Sequence, residues 1–242
     1  MPNNSLPPWA SGPGEILRHG LGLLREDTDT NRRLAMIAID NAVELTIKTY
    51  LGLPKRITGL HVPRKELSEI SESFPALLDA IERHAHDKLL GIDLGEIEWY
   101  HRLRNELYHQ GNGLTVERDK VNVYAQLANV LFKNLFGIEL VHPQAGRERL
   151  LGDFLEAWID LERSLVSMAQ DHSPTGSQGM SMLQAARFLR GTDLVSKEDV
   201  RDFERLQQLR NKLVHGIIDD RDALTPEIIN QVRQLREKFS EE

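Results

Sequence analysis

The chain reads as an all-α protein made of two tandem small helical bundles, the second a shorter rerun of the first. Three observations predict this. The hexamer Arg104-Asn105-Glu106-Leu107-Tyr108-His109 returns as Arg210-Asn211-Lys212-Leu213-Val214-His215, a pattern that random order of this composition would give far less than once. Its frame returns in register, with Ile97, Tyr100, Leu103 and Leu107 answered by Phe203, Leu206, Leu209 and Leu213, and with Leu114-Thr115-Val116-Glu117 answered by Leu224-Thr225-Pro226-Glu227 after a longer loop. Self-similarity of this kind marks repeated structural units. Finally, apolar residues recur at three- and four-residue spacing, and no stretch alternates long enough to build a sheet.

The elements follow in order. A lead over Met1 to Gly14, rich in Pro, Asn and Ser, is expected to be flexible, with Leu6 and Trp9 able to pack onto the body. The first unit then covers residues 15–140. It opens with a helix from Glu15 to Leu24, followed by a polar break at Glu26 to Thr30 whose Asp or Thr can cap the next helix, Asn31 to Leu51. Lys55 to Lys65 is expected as a cationic loop and Glu66 to His86 as a helix interrupted by Pro75. The motif helix runs from Glu96 to His109 and ends at Gly111-Asn112-Gly113, as helix C-termini prefer. Thr115-Val116-Glu117 starts a helix reaching Phe136, and a linker at Gly137 to Gly146 separates the units. The second unit, residues 146–242, has helices from Arg147 to Ala169, Ser181 to Leu189, Lys197 (capped by Ser196) to His215, and one opened by Thr225-Pro226-Glu227, with Pro in its favoured first position.

Composition narrows the function. A length of 242 residues suits two units of about 100 to 130 residues, and 40% hydrophobic content is enough for packed interiors. Cysteine is absent, which removes disulfides, thiolate metal sites and a cysteine nucleophile. No apolar run approaches the ~18 residues of a membrane span, and the N-terminus lacks the layout of a signal peptide, so a cytoplasmic protein is expected. The net charge of −7, shared by both halves, argues against coating duplex nucleic acid. Nucleic-acid contact would need a local cluster. Lys55, Arg56, Arg64 and Lys65 form one such candidate, with Arg102 of the motif helix as a further cation; a solvated loop is the plainer reading of the same stretch.

In the motif, Asn and His four residues apart share a helix face, about 40° from each other. Arg lies about 140° from His, beside the apolar stripe, and is long enough to return its guanidinium towards the polar face. His occupies the last turn, where unsatisfied carbonyls favour imidazolium. Two such sets facing each other would supply two histidines for proton removal and donation and two arginines for charge building on a phosphorane. The RNA 2′-OH would be the nucleophile, so no metal, cofactor or protein nucleophile is needed.

Arg104, Asn105 and His109, with Arg210, Asn211 and His215, each at the end of a penultimate helix in a small all-α unit, resemble the HEPN superfamily. The resemblance implies a metal-independent endoribonuclease with a composite site formed where two HEPN units pair, leaving a 2′,3′-cyclic phosphate and a 5′-hydroxyl. It implies a homodimer or an intramolecular pseudo-dimer, RNA as substrate, and a defence or toxin setting with an antitoxin or regulatory protein as partner. A HEPN subgroup modified by a partner nucleotidyltransferase has Tyr two residues after His; Gly111 and Ile217 stand there in this chain, so that regulation is not implied. Relatives also serve as non-catalytic RNA- or protein-binding modules or as helical partners of a nucleotidyltransferase or antitoxin.

Alternatives remain at several residues. The motif Arg and His also suit a helix-ending structural motif. Glu98, His101 and Glu106, with His84 and His86, suggest a metal site only weakly, because H-x-H on a helix points its imidazoles apart. Trp99 and Tyr100 suit either packing or stacking on a base. Asp40 and Asp160, each following an Ile in a long helix, are placed to orient a motif Arg.

Overall fold

The computed structural model describes residues 6–109, 115–140, 147–173, 182–192, 194–215, 217–218 and 223–240, with backbone alone at 108, 109, 147–149 and 183. Among the described residues there are eleven α-helices and one 3-10 turn, with no strand. The fold is all-α. No helix among the described residues is long and apolar enough to cross a membrane. The chain divides into two compact units, Met1–His142 and Pro143–Glu242.

In the first unit the helices are α1 (Pro8–Arg25), α2 (Asp29–Gly52), α3 (Lys55–Thr58), α4 (Arg64–Ile70), α5 (Phe74–Ala85), α6 (Leu94–His109) and α7 (Arg118–Phe136). Helix α2 is the axis, packing against α1, α5, α6 and α7. Its Met36, Ile39, Val43 and Ile47 are buried, recurring three and four residues apart as a core-facing stripe requires. Thr28 starts it, its Oγ1 accepting from the Asn31 N–H at 3.1 Å. Gly20 lets α1 come close: a Cβ there would lie 3.0 Å from Ile39 Cγ1 and 3.3 Å from the Ala35 carbonyl oxygen.

The second unit holds α8 (Arg147–His172), α9 (Met182–Gly191), α10 (Lys197–Val214) and α11 (Pro226–Lys238). Here α8 is the long helix, packing against α9 and α11. Trp158 of α8 is buried, stacks on Phe203 of α10 with centroids 5.6 Å apart, and donates its indole N–H to Glu162 at 2.9 Å. Ser196 caps α10 by accepting from the Asp199 N–H, and Thr225 caps α11 by accepting from the Ile228 N–H.

Several boundaries differ from the sequence reading. The lead expected over Met1 to Gly14 is helical from Pro8. Pro8 occupies the first helical turn, where its missing N–H costs nothing. Ala10, Pro13 and Gly14 are buried, and Leu6 and Phe132 close over Gly14, leaving no room for a side chain. Leu6 thus packs as expected, whereas Trp9 is exposed. The stretch expected as a loop from Lys55 begins with a helical turn, closed by Gly59 at a φ of 79°. Pro75 interrupts nothing; it sits in the first turn of α5, and the break lies before Phe74. Glu117 is the N-cap residue of α7 and Thr225 that of α11, so the two helices do not start at matching positions of the Leu-Thr-x-Glu alignment. Val116 and Leu224, the residues before those caps, are both buried, as are Val121 and Ile229 in the following turn, which is the pattern of a hydrophobic staple. The expected helix end at Gly111-Asn112-Gly113, most of the linker, the loop core at 174–180 and Gly216 lie outside the described residues.

Candidate functional site

The apolar stripe of the motif helices fixes where their polar groups go. Ile97, Tyr100 and Leu107 of α6 are buried and Leu103 is half-buried; Phe203, Leu206, Leu213 and Leu209 of α10 repeat that pattern position by position. Arg104 and Arg210 each follow the half-buried leucine, so both stems leave the helix at the edge of a core.

In the first unit that core contains a carboxylate. Asp40 of α2 is fully buried, which is unfavourable for a charge unless donors surround it. Three side chains do so. Arg104 meets Oδ2 with both Nε and Nη2 at 2.6 Å. His101 Nδ1 lies 3.0 Å from the same oxygen, and the Tyr124 hydroxyl donates to Oδ1 at 2.7 Å. Burial acts to raise the Asp40 pKa, but the His101 hydrogen bond, the Arg104 charge and the Tyr124 hydroxyl outweigh it and hold the carboxyl below its usual range. Tyr124 is pushed the other way, well above an ordinary phenol, by its own burial and then by the adjacent Asp40 charge. Rings lock the donors: Tyr124 stacks on Tyr100 at 4.5 Å, and His101 stacks on Phe74 at 3.8 Å.

The guanidinium therefore turns inward, not back towards the polar face of α6. Its remaining reach goes sideways, Arg104 Nη1 donating to Asn105 Oδ1 at 2.8 Å, with Glu44 Oε2 at 3.9 Å from Nη2. In the second unit Arg210 is only 5% exposed, and its Nη1 approaches Asn211 Oδ1 at 3.5 Å, the outer limit of a hydrogen bond. Asn211 and His215 are exposed. His215 closes α10, its backbone N–H donating to the Asn211 carbonyl at 3.0 Å. His109 is the last residue of α6, and its side chain lies outside the described residues.

The two expected orienting acids part company. Asp40 does hold Arg104. Asp160 is half exposed and pairs along its own helix with Arg163 at 3.6 Å. The sequence offers His101 only as a weak metal candidate and places Tyr124 no further than in the helix reaching Phe136. The available signal was an aspartate on the apolar face of α2, which demands donors from whichever helices cover it. Of the other metal candidates, His84 bonds Glu66 at 2.9 Å and Glu98 pairs with Arg102. Tyr100 is core, and Trp99 packs edge-on against it.

The cations expected to meet RNA are on the surface. Lys55 and Arg56 project from α3 and Arg64 and Lys65 from α4, all exposed. Lys65 is 3.9 Å from Glu69, and Arg102 is exposed on the motif helix. Chemically, each motif presents a neutral amide beside a largely buried guanidinium, with a histidine at the helix end. No known protein family, curated protein or solved structure matches the chain.

Proposed function

We propose that the chain is a metal-independent endoribonuclease of HEPN type, in which two Arg–Asn–His sets act on one phosphodiester. The observation that carries this is the Arg–Asn pair, present at the same point of both motif helices with the arginine on the core edge. One set is half of an acid–base pair, so the scheme needs two, from the two units or from two chains. One histidine of the pair takes the 2′-OH proton as the 2′ oxygen attacks phosphorus; the other protonates the departing 5′ oxygen. The products are a 2′,3′-cyclic phosphate and a 5′-hydroxyl. Lys55, Arg56, Arg64, Lys65 and Arg102 are the cations offered to the RNA backbone. An activity of this kind suits a toxin or defence protein governed by a partner protein.

The test is incubation of the purified chain with mixed cellular RNA in EDTA, beside the double variant His109→Ala/His215→Ala. Cyclic-phosphate ends from the parent alone are expected. Cleavage abolished by EDTA, or unchanged in the double variant, overturns the mechanism. One observation favours a second reading, a non-catalytic RNA- or protein-binding module: Asp40 engages the Arg104 guanidinium on two nitrogens, as a structural ion pair does. That reading is supported if the folded parent and variant both bind RNA and neither yields product.

A further inference from the structure

Arginine has donors and no acceptor, so the asparagine beside it must turn its oxygen towards the guanidinium and its NH2 away. This is the arrangement in the first unit, where Arg104 Nη1 meets Asn105 Oδ1 at 2.8 Å, and the second unit repeats it at 3.5 Å. The arginines are the less accessible partners. The Arg104 side chain is 16% exposed and Arg210 is 5% exposed, whereas Asn105 is half-buried and Asn211 exposed. Arg104 is moreover committed, with Nε and Nη2 on the buried Asp40 and Nη1 on Asn105. Its charge is already neutralised before any phosphate arrives. Asn105 lies on the same helix face as His109, and Asn211 on that of His215, four residues apart.

We infer that Asn105 and Asn211, through their Nδ2 groups, are the donors that meet the non-bridging phosphate oxygens, and that Arg104 and Arg210 are positioning residues that fix the amide orientation. This assignment rests on the endoribonuclease reading and reverses the roles that the motif alone suggests. The asparagines are then the catalytic residues beside the histidines. As the 2′ oxygen bonds to phosphorus and the 5′ oxygen leaves, negative charge grows on the non-bridging oxygens. The Asn105 amide, held by an arginine that is itself fixed on buried Asp40, meets that charge without reorganising. No proton passes through the amide. Asp40 acts one step further back, holding Arg104 through the same carboxylate that takes His101 and Tyr124.

Two measurements on the full chain test this. The first is an NMR titration with a mixed-sequence 2′-O-methyl oligoribonucleotide, which binds as RNA does but has no nucleophile. The side-chain NH2 signals of Asn105 and Asn211 are expected to move downfield, with the Nε–H signals of Arg104 and Arg210 in place. Movement of the arginine signals and not the asparagine ones overturns the role assignment and leaves the endoribonuclease reading standing. No binding at all removes that reading and this inference with it. The second is kinetic. Asn105→Ala and Asn211→Ala are each expected to lower kcat by about 10²-fold with KM and thermal midpoint unchanged. A phosphorothioate at the scissile phosphate should slow the parent but add nothing to the variants' loss. Retention of parental kcat by both variants overturns the inference.

Discussion

Asp40 is where the sequence and the energetics meet most sharply. A carboxylate with no exposure survives because Arg104, His101 and Tyr124 all donate to it. Its folded-state pKa is depressed despite burial, so the sign of its pH effect is fixed. The stabilisation is fully present above the unfolded aspartate value of about 3.9 and is lost as pH falls through that value towards the folded one. Asp40→Asn is therefore expected to lower stability at neutral pH by about 3 kcal/mol, because Arg104 is left as an uncompensated buried charge. The deficit should shrink as acid titrates the parent. Urea titrations of both proteins at pH 7 and pH 3 check this, and a deficit that stays constant between them would remove Asp40 as a charged hub. Part of the hub was legible: Asp40, after Ile39 in a long helix, was a candidate to orient a motif Arg, but so was Asp160, which pairs with Arg163 instead. His101 and Tyr124 were not, because which helices cover α2 is decided by tertiary packing and leaves no local spacing rule. The same fact redirected Arg104, whose guanidinium the motif spacing alone brings back towards the polar face.

At the level of helices, the sequence was most informative where punctuation is chemical. Thr28, Ser196 and Thr225 each accept from the backbone three residues on, as caps do, and Gly137 closes α7 at a φ of 68°. Proline is a poor breaker signal where its position in the turn is not read. Pro8 and Pro75 both lie in first turns, and α1 extends over a segment whose Pro, Asn and Ser content suggests a flexible lead. What favours helix there is contact: Gly14 and Gly20 are the places where neighbouring groups come within side-chain distance of the α1 backbone. Gly20→Ala gains about 1 kcal/mol of intrinsic helix propensity, yet sets a methyl 3.0 Å from Ile39 Cγ1 and 3.2 Å from Ala38 Cβ. Overpacking of a close helix pair costs about 1–3 kcal/mol, so a net loss of stability is expected. Gly22→Ala, where nothing stands within 4 Å, should gain. Thermal melts of the two variants decide it; equal shifts would mean that α1 and α2 relax apart at little cost.

For the whole chain, each unit has its own core, one arranged around α2 and the other around α8. Hydrophobic burial within a unit, not continuity of the chain, is what makes a domain fold. Residues 1–142 alone are accordingly expected to melt cooperatively and to keep the Asp40 network, whose members all lie on α2, α6 and α7. On the proposed mechanism that fragment carries a single Arg–Asn–His set, so it is half of a site. Cleavage by the fragment should then require pairing of two copies, and its rate should rise with the square of fragment concentration at low concentration, whereas the Asn105→Ala fragment, lacking both amides when paired, stays far slower at every concentration. Initial-rate measurements on a labelled oligoribonucleotide over a hundredfold range of fragment separate the outcomes. A rate strictly proportional to concentration, from a cooperatively folded fragment shown by sedimentation to be monomeric, would mean that one set suffices and that two histidines are not needed on one phosphodiester.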